Sequence, residues 1–530
     1  MSEVLPYLIA LLALMAVVHL AAPRLRVPPP VLLAMAGAVV GSVPGLPHNE
    51  LDPDLVLVLF LPPLLYADAF DTSWVDFRRW LRPILMLAVG LVAFTILVVG
   101  LTAHWLLPWL PLPACFILGA IVSPTDTVAV QAVIERLRVP RRMTAILGGE
   151  SLVNDATGLV GVQIGVAVAM SGMFSAGRVA LDFLRVAGLG ILIGVVIGWA
   201  FASVNRRVRD VPVLWVLSLL SPYLAFLIAA ELRASGVLAV VVAGAVVSWR
   251  IHAIHSEARV QLYAAWGLAV FVLNGLCFLF IGIEAPHLLR EIRKSGDSAE
   301  VLRAGLWISA AVILARLVWC FPNAYLPLWL SPRLRQREGG YPSPRGVLLV
   351  SWCGVRGVIS LAAALALPHT LPDGTPFPGR DAVVACTLCV ILVTLIGQGL
   401  TLTPLIRLLG IRDDETTAEE ERKAREELLE AGIARLDEFC SQTSCPISVH
   451  HWREMMADER MTLRAEDEDQ RQRAGARLAV SAEVRKAVQA AQEAALLRLR
   501  DRGRITDKTY LALQLELDRH YLSGAMPDNV

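Results

Sequence analysis

Charge is scarce in this chain and nearly cancels. Asp, Glu, Lys and Arg make up 18% of the 530 residues, and 48 basic against 47 acidic side chains leave a formal net charge of +1. Neither sign dominates, so composition points to no nucleic acid and to no acidic substrate. Cysteine is sparse as well, with eight scattered residues. Cys386 and Cys389 form a CxxC in an apolar stretch with no second pair, which reads as packing and not as zinc or redox chemistry. Cys440, Cys445, His450 and His451 match no standard zinc spacing. No glycine-rich phosphate loop is present, so nucleotide use is not expected, and neither is any other cofactor. The first apolar stretch, 3–21, lacks the basic start and small-residue cleavage site of a secretory signal and reads as a retained helix. What the chain has in abundance is apolar surface. With 56% hydrophobic residues and a mean hydropathy of +0.59, it is expected to be an all-α polytopic membrane protein.

Taking about 20 apolar residues per crossing, thirteen transmembrane segments are expected between residues 3 and 409. Arginines concentrate in alternate connections, among them Arg78, Arg79 and Arg82, then Arg136, Arg138, Arg141 and Arg142, then Arg206, Arg207 and Arg209. By the positive-inside rule those loops are cytoplasmic, which puts the amino terminus outside and the carboxyl terminus inside a cell (inner) membrane. Arg290, Arg293, Lys294 and Arg303 run against the rule. Two domains are expected: a transmembrane domain over 1–410 and a soluble, helical cytoplasmic tail over 411–530. The tail is rich in Glu, Arg, Ala and Leu, with helical runs at 417–439 and 476–500.

Within this apolar background, GGESLVNDATGLV at 148–160 stands out. A charge at the middle of a membrane helix costs on the order of 3 kcal/mol even on lenient insertion scales, so such groups usually face a water-filled cavity or a partner. At about 100° per residue, Ser151 and Asp155 share one helix face, while Glu150 and Asn154 share a neighbouring one. Two other segments carry helix breakers: SPTDTVAV at 123–130, with Pro124, and CGVRGVIS at 353–360, with Gly354 and Gly357 around Arg356. If segments one to six and eight to thirteen are two halves, each interrupted segment is the fifth of its half. That is the arrangement expected of inverted-repeat transporters.

FLPPLLYADAF at 60–70, SPTDTVAV at 123–130, GESLVNDATGLV at 149–160, FVLNGLCFLFIGIE at 271–284, GVRGVISLA at 354–362 and GQGLTLTPLIRLLGI at 397–411 together resemble the monovalent cation:proton antiporters of the NhaP and NHE type, especially their bacterial branch. The resemblance spans the membrane part. It implies an inverted-repeat antiporter fold and a homodimer that exchanges sodium, or lithium or potassium, for protons in pH and sodium homeostasis. It gives Asp155 the role of carrying the cation or the proton. Ser151, Thr125, Asp126 and Thr127 would supply further oxygen ligands, with Asn154 as a neutral neighbour that goes with electroneutral exchange. It also implies an ion pair between Glu150 and Arg356. One departure stands out: the acid that family members often carry directly after the aromatic of the LPPLL(F/Y) motif is replaced by Ala67, and Asp68 follows one residue later. Asp68 either faces the cavity or caps a helix end. Asn274 either lines the cavity or joins two helices. Arg316 lies mid-segment and is expected to pair internally with a partner the sequence does not name.

A hard, small cation suits carboxylate, hydroxyl and carbonyl oxygens. If proton and cation exclude each other at Asp155, and only the loaded site changes sides, the two ions are exchanged without ATP. Two other classes compete with this reading. An intramembrane aspartyl protease would use Asp126 and Asp155 as a dyad, but the GxGD string is absent and Arg356 has no task there. A passive cation channel would need a selectivity filter, and no repeated pattern of that kind is present.

Overall fold

The computed structural model describes residues 4–25, 27–43, 53–137, 139–171, 176–251, 254–294, 298–371, 374–411, 415–442 and 447–464, with short pieces between 486 and 517. They form two compact units, Met1–Asp413 and Asp414–Val530. The first begins with α1 (Val4–Leu25), α2 (Pro29–Gly41), α3 (Pro53–Asp71), α4 (Trp74–Arg79), α5 (Leu81–Leu85) and α6 (Val92–Leu106). It continues through α7 (Leu112–Val122), α8 (Val128–Arg136), α9 (Arg141–Ser171), α10 (Ala176–Asn205), α11 (Val211–Glu231) and α12 (Gly236–Trp249). It ends with α13 (Ser256–Lys294), α14 (Ser298–Leu330), α15 (Pro332–Arg337), α16 (Pro344–Trp352), α17 (Val358–Leu365), α18 (Arg380–Leu392) and α19 (Gly399–Leu409). Single π-helical turns, Met86–Leu91 and Val393–Gln398, join α5 to α6 and α18 to α19. Among the described residues there is no strand, only an isolated bridge between Thr370 and Pro376.

Short polar residues set several helix starts. Ser73, Asp210, Ser235, Ser331 and Ser343 each precede a helix and accept from the backbone N–H three residues on, at 3.1–3.4 Å. Each satisfies a donor that the first helical turn would otherwise leave open. Eight of the described helices are long and apolar enough to cross a membrane, and three shorter apolar ones join them, Pro29–Gly41, Leu112–Val122 and Gly236–Trp249. The tally of thirteen crossings is not reproduced by length and hydropathy alone. The apolar segments that carry the breaks at 123–130 and 353–360 are each divided into two helices, and α3 carries two internal prolines and three aspartates.

Two large buried clusters organise this unit, beside a smaller third around Trp80, Ile84 and Cys320. One gathers α2, α7, α13, α14 and α18 through residues such as Val31, Ile117, Phe278, Ile308 and Val383. The other gathers α3, α11, α12 and α13 through Tyr66, Ala225, Val240 and Trp266. Helix α9 belongs to both, giving Leu147 and Val162 to the first and Leu152 and Ala156 to the second. The helix that carries the polar residues is therefore the seam between the clusters.

The second unit contains α20 (Glu415–Gln442) and α21 (Ile447–Arg464), which pack as a pair. Met456 lies against Gly432, and Arg453 Nε donates to Asp437 Oδ1 at 2.5 Å. The run expected at 417–439 lies within α20. Most of the run expected at 476–500, and Cys445, lie outside the described residues.

Candidate functional site

The two interruptions meet. Pro124 has no backbone N–H and disfavours helix at the residue before it, so α7 stops at Val122 and the chain runs non-helically to α8. Across the junction, Asp126 N donates to Val355 O at 2.7 Å. Each break also supplies a charged side chain to the half-helices. The Asp126 carboxylate accepts from Val128 N at 2.9 Å and lies within reach of the backbone N–H of Ala129 and Val358, so it faces the positive starts of both α8 and α17. Arg356 does the reverse: its Nε donates to Val122 O at 2.9 Å, at the negative end of α7, and its Nη1 donates to Gly354 O. The Arg356 backbone N–H is held by Thr394 Oγ1 at 3.1 Å. Gly357 permits the crossing, because a methyl group there would overlap the Asp126 carboxylate.

Beside this junction lies a cavity of about 50 Å³, lined by Asp68, Thr125, Asp126, Ser151, Asp155 and Asn274, with Gly357 and Ser360 on the α17 side. Three carboxylates thus share one small space. Asp155 is 4% exposed, and among the described residues no group donates a hydrogen bond to its carboxylate. Ser151 lies one turn before it, as the helix spacing requires, and its Oγ donates to Thr125 O at 3.1 Å. Thr125 is fully engaged: its hydroxyl donates to Glu150 Oε1 at 3.2 Å and accepts from Asn154 Nδ2 at 2.8 Å. Of the sequence candidates, Asp155, Asp126, Ser151 and Thr125 come together at the cavity, and so do Asp68 and Asn274. Thr127 and Asn154 do not line it. The Asn154 amide ties α9 to the interrupted segment, and Thr127 stands past the turn, at the start of α8.

The implied pair between Glu150 and Arg356 is not formed. Glu150 instead grips Arg316 of α14 with both oxygens, Nη2 to Oε2 at 2.8 Å and Nη1 to Oε1. Arg316 Nε and Nη2 also donate to Val350 O at 3.3 and 3.1 Å, so one buried guanidinium joins α9, α14 and α16. The physical reason lies in the neighbouring acceptors: Arg356 is spent on the carbonyl end of α7 and on Gly354, leaving the Glu150 fork to the arginine on α14. Arg356 Nη2 has no hydrogen-bond partner. Sequence reasoning also missed Ser360, whose Oγ is buried without a partner at the cavity wall. Its position three residues after Gly357, in the first turn of α17, was the available signal.

Crossed, interrupted helices with carboxylates at the crossing define the class of secondary ion exchangers, in which broken segments hold the ion near the membrane midplane. Comparison with known proteins gives the family. The transmembrane sodium/hydrogen exchanger family matches residues 8–408, and the chain belongs to it. An uncharacterised Na+/H+ exchanger of Mycobacterium tuberculosis is 36% identical over 441 residues, covering 81% of this chain and 79% of that protein. A sodium, potassium, lithium and rubidium/H+ antiporter of Bacillus pumilus is 33% identical over 452 residues, covering 83% of this chain and 66% of that one. The sodium proton antiporter MjNhaP1 from Methanocaldococcus jannaschii at pH 8 shares the fold, with a TM-score of 0.59 at 21% identity over 77% of this chain and 98% of that one. The chain is thus a multi-pass membrane protein with an antiporter fold.

Proposed function

We propose that this chain exchanges a monovalent cation, sodium first and lithium or potassium as the other candidates, for protons one for one at Asp155. The observation that carries the reading is a buried carboxylate with no hydrogen-bond donor, facing a cavity that it shares with Asp126, Ser151 and Asp68. A charged carboxylate cannot stay there uncompensated. It takes either a proton or a cation, and the two exclude each other. Oxygens of Asp155, Asp126 and Ser151 are of the hard type that a small cation prefers, with Asp68 and Asn274 of the same cavity lining as further ligands. Asp126 keeps a second role as the cap of α8 and α17, and Thr125 holds α9 in register. Asn154 stands where a second carboxylate would add a charge, which supports electroneutral exchange.

In this reading residues 1–410 are the exchange domain and 411–530 a cytoplasmic tail, with the amino terminus outside the cell membrane and the protein a homodimer. Family membership and the capping role of Asp126 both weigh against a protease dyad, and family membership weighs against a channel. The test is cation-driven pH change in sealed proteoliposomes, with sodium, lithium and potassium supplied separately. Saturable proton flux that is lost in Asp155→Asn is expected. Flux that survives the substitution moves the carrier elsewhere, and a protein that gives single-channel currents is no exchanger.

A further inference from the structure

Helix α4 packs against α9, the helix that carries Asp155. It is six residues long, WVDFRR, with Ser73 as its cap. Its apolar side chains are not buried: Trp74 is 43% and Val75 76% exposed. Arg78 and Arg79 are exposed too, and among the described residues neither pairs with a carboxylate. Their guanidinium groups lie over indoles instead, Arg78 at 5.9 Å from Trp74 and Arg79 at 5.3 Å from Trp80, with Arg142 at 4.3 Å from the same Trp80 ring. The arginines around it make ion pairs. Arg141 pairs with Asp76 at 2.8 Å, and Glu338 holds Arg82 at 2.6 Å and Arg142 at 3.8 Å. Arg78 and Arg79, which meet no carboxylate among the described residues, leave the exposed face of α4 positive.

Exposed tryptophan and valine beside unpaired arginines make an aqueous surface unfavourable and a membrane surface favourable. The apolar residues enter the acyl boundary, the indoles sit at headgroup depth, and the cations meet phosphate. We propose that α4 and its surrounding arginines dock the headgroups of anionic phospholipids in the leaflet that this end of α9 meets. The patch has a direct mechanical link to the transport helix. Asp76 of α4 holds Arg141 in the first turn of α9, and Phe77 and Ile84 close on Gly149, the residue before Glu150. Lipid bound at α4 therefore fixes the first turns of α9, and exchange depends on the lipid.

The test titrates the detergent-solubilised full chain with short-chain phosphatidylglycerol, phosphatidylcholine or glycerol 3-phosphate and follows the unfolding midpoint. The same proteins are reconstituted in phosphatidylcholine alone or mixed with phosphatidylglycerol. Near a membrane surface each arginine is worth about a factor of five in affinity, so Arg78→Gln/Arg79→Gln is expected to raise by about thirtyfold the phosphatidylglycerol concentration needed for a given shift in midpoint. It should also abolish the lipid dependence of exchange, while Arg78→Lys/Arg79→Lys keeps both. Equal stabilisation of wild type and Arg78→Gln/Arg79→Gln overturns the proposal. So does stabilisation by glycerol 3-phosphate as strong as by phosphatidylglycerol, since that is a soluble phosphate site. The binding readout is independent of which ion is exchanged, so its failure is distinguishable from failure of the transport reading.

Discussion

Glu150 has two arginines within its field and pairs with one. That choice can be measured. Glu150 and Arg316 are both buried and joined by two parallel hydrogen bonds. Arg316→Met leaves the carboxylate charged and dry, and breaking one half of such a pair costs roughly 3 to 5 kcal/mol. Two losses add to it: the contacts of Arg316 to Val350 O, and the tie between α14 and α16. Glu150→Gln strands the guanidinium at a similar cost. The double variant Glu150→Gln/Arg316→Met removes both charges, so its loss should fall well short of the sum, with a coupling of roughly 3 kcal/mol at such a contact. The same cycle with Arg356→Met should give a clearly smaller coupling, because Arg356 is bonded to Val122 O and Gly354 O and not to Glu150. The assay is reversible unfolding of the purified protein in detergent or lipid micelles, with each variant's midpoint and slope. A Glu150–Arg356 coupling equal to or above the Glu150–Arg316 value would refute this assignment.

Other perturbations have definite signs. Gly357→Ala pushes a methyl group into the Asp126 carboxylate and should lower stability by roughly 1 to 3 kcal/mol and reduce proton flux. Gly148→Ala, where a methyl group meets open space, should raise stability by up to about 1 kcal/mol in the same unfolding assay. In flux measurements the apparent cation affinity should fall as pH falls, by up to about tenfold per pH unit where protons occupy the site, and maximal velocity at saturating cation should change less. Arg453→Ala in the second unit removes an exposed pair with Asp437 and should move the midpoint of unfolding by no more than about 1 kcal/mol.

The sequence made the breaks legible because Pro124, Gly354 and Gly357 interrupt otherwise apolar segments, and it made Asp155 and Ser151 legible because a four-residue spacing puts them on one helix face. Spacing could not settle which arginine reaches Glu150. Arg316 and Arg356 lie on different elements, and the outcome depends on how α7 ends: its free carbonyl at Val122 draws Arg356 away. Thr125 and Thr127 look equivalent in SPTDT, yet only Thr125 faces α9, since the chain turns at Asp126 to begin α8. Asp68 shows the same limit from the other direction. A shift of one residue from the family pattern rotates a helical side chain by about 100°, and only the packing of α3 against α12 and α17 places it at the cavity wall.

The claim that one carboxylate holds either a cation or a proton is tested most directly by proton release. Purified protein in weakly buffered detergent solution is titrated with sodium chloride, with choline chloride as control, while pH is recorded. Wild type should release about one proton per bound cation where the site starts protonated, and Asp155→Asn should release none. Cation binding to wild type without proton release, or undiminished release from Asp155→Asn, would contradict the competition at Asp155.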